Sequence, residues 1–427
     1  MDYLHNWDDV SRVLEVGCVL TFASTTAHHY ASGNNSSGDN AWLSALQSQK
    51  YAPALVATLS LVEHVAGANG DEESFHRIAW DLLFELLRVG TGYADITNAI
   101  RAGLLQCIVS LPNTHADWDM SKEHEAIQWV IQPATLYYPV LSAIEASLPL
   151  LTQSTSTTTF TSSVLHADWK EFVDLVLDRL TVKKGYDSGQ YLTRKACDNL
   201  ECGRILKKTE FKRCAGCRYV HYCSRDCQIE DWSTDHKSIC QSIRAGSSYF
   251  PSADSEILQD GHNDVLDGPT YLTSRDRAFI RAIIRADYER FKQVVFCAMI
   301  VRMREFGENV VVSFDYRTGR VEVRVHPPGL VDYIAGEPSN GYFASRMAQN
   351  DRRMQLNIAV LPHAMLSQSS DGCRWKLPIR SSNSSVHDAL FTLSQSLPPG
   401  SNDLSSAVHR AVDQLVEEVC PTILEIV

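Results

Sequence analysis

Leucine, isoleucine, valine and aromatic residues recur at three- and four-residue spacing through much of the first 185 positions. PALVATLSLVEHVAG (53–67), SFHRIAWDLLFELLRVG (74–90), AIRAGLLQCIVSL (99–111) and DWKEFVDLVLDRL (168–180) each concentrate them on one face. That period predicts amphipathic helices. In the second segment Phe75, Ile78, Ala79, Leu82, Leu83 and Leu86 make a single stripe. Gly67, Gly90 and Gly103 fall near segment ends, where a helix stop favours glycine. The polar stretches ASGNNSSGDN (31–40) and TQSTSTTTFTSS (152–163) interrupt the pattern and read as loops.

Residues 1–185 therefore predict a helical domain. Stacked helical pairs of the armadillo or HEAT kind and a plain bundle both accommodate the pattern, and no clean period of about 40 residues selects the former. After a Ser-, Asp-, Gly- and Pro-rich linker (244–269) the pattern changes. SRDRAFIRAIIRADYERFKQVVFCAMIVRMREF (274–306) predicts one long helix or two. NVVVSFDY (309–316) and RVEVRVH (320–326) flank Arg317-Thr318-Gly319; Val321, Val323 and Val325 alternate with polar residues, as in a half-buried hairpin strand. MQLNIAVLP (354–362) and RWKLPI (374–379) are further strands, and Pro378 favours an edge position for the second. DLSSAVHRAVDQLVEEV (403–419) predicts a closing amphipathic helix with Asp403 as its N-cap. Residues 270–427 thus predict an α+β domain with a short antiparallel sheet. The fold class is mixed: a helical N-terminal domain, a small cysteine-rich insert, then this α+β domain.

Composition refines the picture. The chain of 427 residues is 44% hydrophobic and 21% charged, as in ordinary globular protein. Its net charge of −12 argues against whole-chain attraction to nucleic acid or anionic lipid. The acidity belongs to residues 1–180, which carry 8 Lys/Arg against 21 Asp/Glu. The acidic N-terminal stretch and the shortness of every apolar run predict an intracellular protein of cytoplasm or nucleus, with no membrane span. Common nucleotide-binding and hydrolase signatures are absent from the sequence, and His124-Glu125 fails to become a metal motif because Gln stands at 128. Arg275, Arg277, Arg281 and Arg285, interleaved with Asp276, Asp287 and Glu289, read as a solvated, salt-bridged helix face. Cys18, Cys107, Cys297 and Cys420 sit in apolar contexts and read as buried thiols.

The other cysteines carry chemistry. Seven of the twelve lie between 197 and 240, as Cys197, Cys202, Cys214, Cys217, Cys223, Cys227 and Cys240, with His236 four residues before the last. Closely spaced pairs of thiolates and imidazole suit zinc, and eight donors fill two four-coordinate ions. With every donor used, neither ion keeps an open position, so both are structural. A segment this short cannot bury a core adequate to fold alone; zinc supplies about 10 kcal/mol per site. A redox reading of Cys214-Ala-Gly-Cys217 lacks the surrounding βαβ pattern.

The segment resembles the MYND zinc finger, through Tyr222-Cys223-Ser224, Cys227-Gln228, Trp232 and His236-Lys237 followed by Cys240. It departs in its first pair, spaced x4 where x2 is common. The resemblance implies interleaved coordination, with Cys197, Cys202, Cys223 and Cys227 on one zinc and Cys214, Cys217, His236 and Cys240 on the other. It also implies a protein-interaction module that docks proline-containing peptides in a groove lined by Gln228 and Trp232. The order of a helical region, a finger and a segment opening SRDRAFIRA further resembles uncharacterised fungal MYND domain-containing proteins. The expected function is a zinc-binding adaptor in transcriptional or other regulation rather than an enzyme. The competing readings are a SET-like lysine methyltransferase, whose Asn-His-Ser and Gly-Glu-Glu motifs are missing, and a nucleic-acid-binding regulator. Against the latter, residues 197–243 carry eight Lys/Arg and seven Asp/Glu, too balanced for a basic footprint.

Overall fold

A computed structural model describes residues 51–65, 72–89, 93–191, 194–218, 220–244, 272–327, 346–362, 373–398, 404–418 and 425–426. Contacts divide the chain into two units. The first comprises residues 1–183 with 317–320 and 362–371; the second comprises the remainder. The loop at 31–40, most of the linker at 244–269, and Cys18, Asp403 and Cys420 lie outside the described residues.

The first unit is helical: α1 (Tyr51–Val65), α2 (Glu72–Val89), α3 (Ala94–Arg101), α4 (Leu104–Thr114), α5 (Ser121–Glu125), α6 (Tyr138–Thr155) and α7 (Leu165–Asp187). The segment 99–111, read as one helix, is two. Gly103 has a φ of +107°, which ends α3 and starts α4 on a new axis. After α5 the chain continues through a π-helical turn, Ala126–Ile131, and a last helical turn, Gln132–Ala134. The stretch 152–163 is more ordered than its composition suggests. Helix α6 runs to Thr155, Thr157 caps a single turn at Thr158–Thr161, and Phe160 is wholly buried. One apolar ring in a polar run anchors the segment to the core. Trp80, Tyr137, Phe160, Phe172, Leu59 and Leu83 form the centre of that core.

The second unit carries the finger and a sheet domain together. Its small strands are β1 (Arg194–Ala196), β2 (Ile205–Lys207), β3 (Lys212–Arg213) and β4 (His221–Tyr222). Then come α8 (Arg225–Asp231), a π-helical turn (Trp232–His236), α9 (Lys237–Arg244) and the single long helix α10 (Ser274–Phe306). Thr273 caps α10 through its hydroxyl, which accepts from the Asp276 backbone N–H, and Gly307 at φ +90° ends it. The larger sheet uses β5 (Val311–Thr318), β6 (Arg320–His326), β7 (Met354–Leu361), β8 (Cys373–Arg380) and β9 (Glu425–Ile426). Helices α11 (Ser385–Gln395) and α12 (Ser406–Glu418) pack on α10.

The sheet order is β6-β5-β7-β8-β9. Strands β5 and β6 are joined at Gly319, whose φ of +86° suits the turn. Strands β7–β8 and β8–β9 are antiparallel, whereas β5–β7 is parallel, so the sheet is mixed. A parallel pair leaves no local turn signal in sequence. Strand β8 is flanked on both sides, but β9 pairs only with Ile379 and Arg380, so Pro378 faces no β9 partner. Val311, Met347, Met354, Leu356, Ile358 and Val360 cluster beneath the sheet. The arginine face of α10 differs from expectation. Arg277 is buried, and the Arg281 guanidinium lies 4.7 Å from the centroid of the buried Trp375 ring. At the start of α12, Ser405 Oγ accepts from Val408 N.

No helix of the described residues is long and apolar enough to cross a membrane.

Candidate metal centre

Each Cys/His donor is placed by a local turn. Cys197 follows β1, and its N–H donates to Arg204 O at 3.0 Å, closing the β1–β2 connection. Asn199 shapes the intervening loop: its Oδ1 accepts from Glu201 N at 3.0 Å, and its carbonyl accepts from Cys202 N at 3.0 Å. Cys214 and Cys217 flank a tight turn in which Arg218 N donates to Cys214 O at 2.8 Å. Arg218 takes a φ of +57° to complete it. Ser224 caps α8, its hydroxyl accepting from Cys227 N at 3.2 Å, which fixes the Cys223–Cys227 pair. The π turn at Trp232–His236 adds a residue to the helical rotation between Cys227 and Cys240 and sets His236 and Cys240 on the second cluster.

Two groups of four result. Donor atoms of Cys197, Cys202, Cys223 and Cys227 all lie within 4.8 Å of one another, as do those of Cys214, Cys217, His236 and Cys240. In the first, Cys202–Cys223 and Cys223–Cys227 sulfurs are 3.7 and 3.6 Å apart. In the second, Cys214–Cys240 sulfurs are 3.9 Å apart, and Cys217 Sγ is 3.6 Å from His236 Nε2. Tetrahedral zinc with Zn–S near 2.3 Å and Zn–N near 2.05 Å requires edges of about 3.8 Å (S···S) and about 3.6 Å (S···N). The donor sets therefore fit such an ion in size and chemistry.

Electrostatics agree. Burial drives the Cys197 thiol well above its ordinary range, and burial with the neighbouring thiolates pushes Cys240 up to about 12. Cys214 and Cys227 move the other way: burial opposes ionisation, but hydrogen bonds from backbone or Ser224 and from neighbouring thiols outweigh it. Without a cation, adjacent thiolates within each cluster repel one another. A dication in the middle removes that conflict.

Around the clusters the finger is laced by polar bonds. Asp198 Oδ2 accepts from His221 N at 2.6 Å, and Asn199 Nδ2 donates to Glu230 at 2.7 Å. Tyr222 Oη donates to Asp231 at 2.5 Å, with both residues buried. The apolar part is small: Phe211, Val220, Tyr222 and Leu206 pack on the cysteines.

Gln228 and Trp232 sit one turn apart on the outer face, in the middle of α8 and at the start of the π turn. Gln228 is half-buried. Trp232 keeps 39% of its surface exposed while its ring meets the His236 ring edge-on at 5.7 Å. Ile229, three residues before Trp232 and absent from the expected groove, is 58% exposed. Its signal was an apolar residue in an otherwise polar first turn and a half.

A short segment with two interleaved Cys/His clusters and a minimal apolar core defines a metal-stapled finger. The family model for the MYND finger matches residues 197–240. The chain thus carries a MYND finger, a module that generally mediates protein–protein interaction. Relatives match short stretches of the chain. An F-box protein of Arabidopsis thaliana is 34% identical over 71 residues, 16% of this chain and 19% of its own. Ubiquitin carboxyl-terminal hydrolase 19 of the same plant is 34% identical over 64 residues, 15% of this chain and 9% of its own. The zinc finger MYND domain-containing protein 10 homolog of Drosophila melanogaster is 62% identical over 29 residues, 7% of this chain and 6% of its own. The chain thus spans no more than about a fifth of the length of these relatives. No solved structure matches significantly.

Proposed function

We propose that this protein is an intracellular adaptor whose finger, loaded with two structural zinc ions, docks proline-containing peptide segments of regulatory partners. Cys197, Cys202, Cys223 and Cys227 hold one ion; Cys214, Cys217, His236 and Cys240 hold the other. The observation that carries the docking role is the outer face of α8 and its π turn. There Ile229 and Trp232 leave apolar surface in solvent beside the half-buried Gln228 amide. A proline ring packs against the Trp232 face, and the Gln228 amide bonds the extended peptide backbone, which internal hydrogen bonds leave free. His236 holds the indole from behind, so a zinc ligand orders the docking wall. Relatives named for an F-box and for a ubiquitin hydrolase match no more than 16% of this chain, which supports a portable module. Reduced thiol clusters suit a reducing compartment.

The test is a calorimetric titration of proline-containing peptides into zinc-loaded wild type, Trp232→Ala and Gln228→Ala. Loss of one buried aromatic contact weakens affinity about tenfold or more while two zinc ions per chain remain. Equal affinity across the three proteins would overturn the groove.

A further inference from the structure

The finger's first loop is gripped from the other side of the same unit. Between Cys197 and Cys202 the backbone carbonyls receive side chains from residues 346–380. Arg380 Nη1 donates to Cys197 O at 3.1 Å, and its Nη2 to Cys202 O at 3.4 Å. Arg353 Nη2 and Asn350 Nδ2 donate to Leu200 O at 2.6 and 2.8 Å. Arg346 donates to Asp198 O and faces the carboxylates of Asp198, Asp231 and Asp235 at 3.8, 4.0 and 3.6 Å. Arg346, Asn350 and Arg380 are all buried.

The approach is close. A Cβ on Gly203 would stand 2.8 Å from the backbone oxygen of Ser382, just past β8. The turn that aims Arg353 is unusual too: Asp351 and Arg352 take φ values of +45° and +62°, which residues with a side chain seldom adopt. Arg352 is tied by Glu308 at 2.7 Å and Asp388 at 3.0 Å, which holds that turn in place.

We propose that the widened Cys197–Cys202 loop is the docking site of the C-terminal sheet domain, so that metal in the first cluster and the fold of β7–β8 stabilise each other. The inference rests on the zinc reading above. Two of the gripped carbonyls belong to ligands of the first cluster, Cys197 and Cys202. The two residues beyond the common x2 spacing supply the carbonyls of a loop that a tight knuckle would not present. An empty cluster releases this loop. The buried Arg380 guanidinium then loses both of its carbonyl acceptors, and a buried charge left short of partners costs more than the bonds contributed. Linkage makes the effect reciprocal: weakening the grip loosens the metal by the same factor.

The test uses the full chain with hydrogen exchange over residues 354–361 and 373–380, with and without chelator, together with zinc affinity by chelator competition. Stripping zinc from wild type raises exchange in both strands. Arg353→Met and the milder Asn350→Ala each weaken one of the two ions about tenfold, the other remaining unchanged. Cobalt substitution identifies the weakened site as the four-sulfur one by its visible bands. Two bound ions with unchanged β7–β8 exchange on stripping would overturn the coupling and leave the zinc reading standing. A chain that takes up no zinc overturns both. The wild-type comparison needs no variant, so a variant that fails to fold does not decide the matter.

Discussion

Gly203→Ala isolates the seam between the finger and the sheet domain with a single methyl group. The added Cβ would stand 2.8 Å from the Ser382 carbonyl oxygen, with the Arg353 guanidinium at 3.4 Å. Ordinary carbon–oxygen contact needs about 3.3–3.4 Å, so the two backbones must part by about 0.5 Å. Neither is a flexible side-chain end. Parting them stretches the Arg380–Cys202 bond, already 3.4 Å, beyond a hydrogen bond. Overpacking of this kind costs about 1–3 kcal/mol. Alanine also restricts the unfolded chain, which returns about 0.4–1 kcal/mol. The net expectation is a loss of about 1–2 kcal/mol. Since the chain has two units, a global melting curve mixes transitions. Native-state hydrogen exchange over β7 and β8 reads the affected region directly, and protection there should fall about tenfold. Protection equal to or above wild type would refute the close approach, because the entropic gain would then be the only effect.

Other perturbations address separate bonds. Cys217→Ala should leave the chain binding one zinc instead of two and unfold the second half of the finger, as read by metal analysis and near-ultraviolet circular dichroism; two retained ions would contradict the ligand set. Tyr222→Phe removes the 2.5 Å bond to the buried Asp231 carboxylate and should cost about 1.5–3 kcal/mol, measured by exchange within the finger. Unchanged exchange there would remove that bond from the account. In the helical unit, burial and the neighbouring His115 hold His76 down to about 4, against 6.5 in the unfolded chain. Its stabilising contribution is therefore complete above pH 6.5 and lost as pH falls from 6.5 to 4, by about 3 kcal/mol at most. Exchange in α2 should follow that window, and His76→Phe should flatten it. A wild-type profile flat between pH 6.5 and 4 would reject the assignment.

What was legible in the sequence follows the range of the forces involved. Cys/His spacing is local chemistry, so the donors could be named from their intervals, and helices α1, α2 and α7 announce themselves by apolar residues at helical spacing. Gly103 was visible as a stop, but that a new helix begins at the next residue depends on the packing of α4, which no local pattern records. Phe160 shows the reverse error: eleven polar residues around it look like loop until its ring finds a hydrophobic slot. The parallel β5–β7 pair is joined by a long excursion, so nothing between the strands specifies it. Arg277 and Arg281 have the period of a solvated face, yet Arg277 is buried and Arg281 turns to the Trp375 ring, a partner far along the chain that no local pattern announces.

The x4 spacing of the first pair combines both kinds of information. As a motif it is a defect of pattern, two residues too many in a knuckle. In the fold those residues give Asp198, Asn199 and Leu200 separate tasks. Asp198 ties the loop to β4 through His221, Asn199 ties it to α8 through Glu230, and the Leu200 carbonyl receives Asn350 and Arg353. A shorter knuckle has too few backbone groups to serve the metal, the finger and the sheet domain at once. The Trp232 face lies on the helical side of the finger, reached from the gripped loop through the Asn199–Glu230 bond. On the proposed docking role, a finger held in this way would present the Trp232 face from a fixed support, and a preorganised wall costs a bound peptide less entropy.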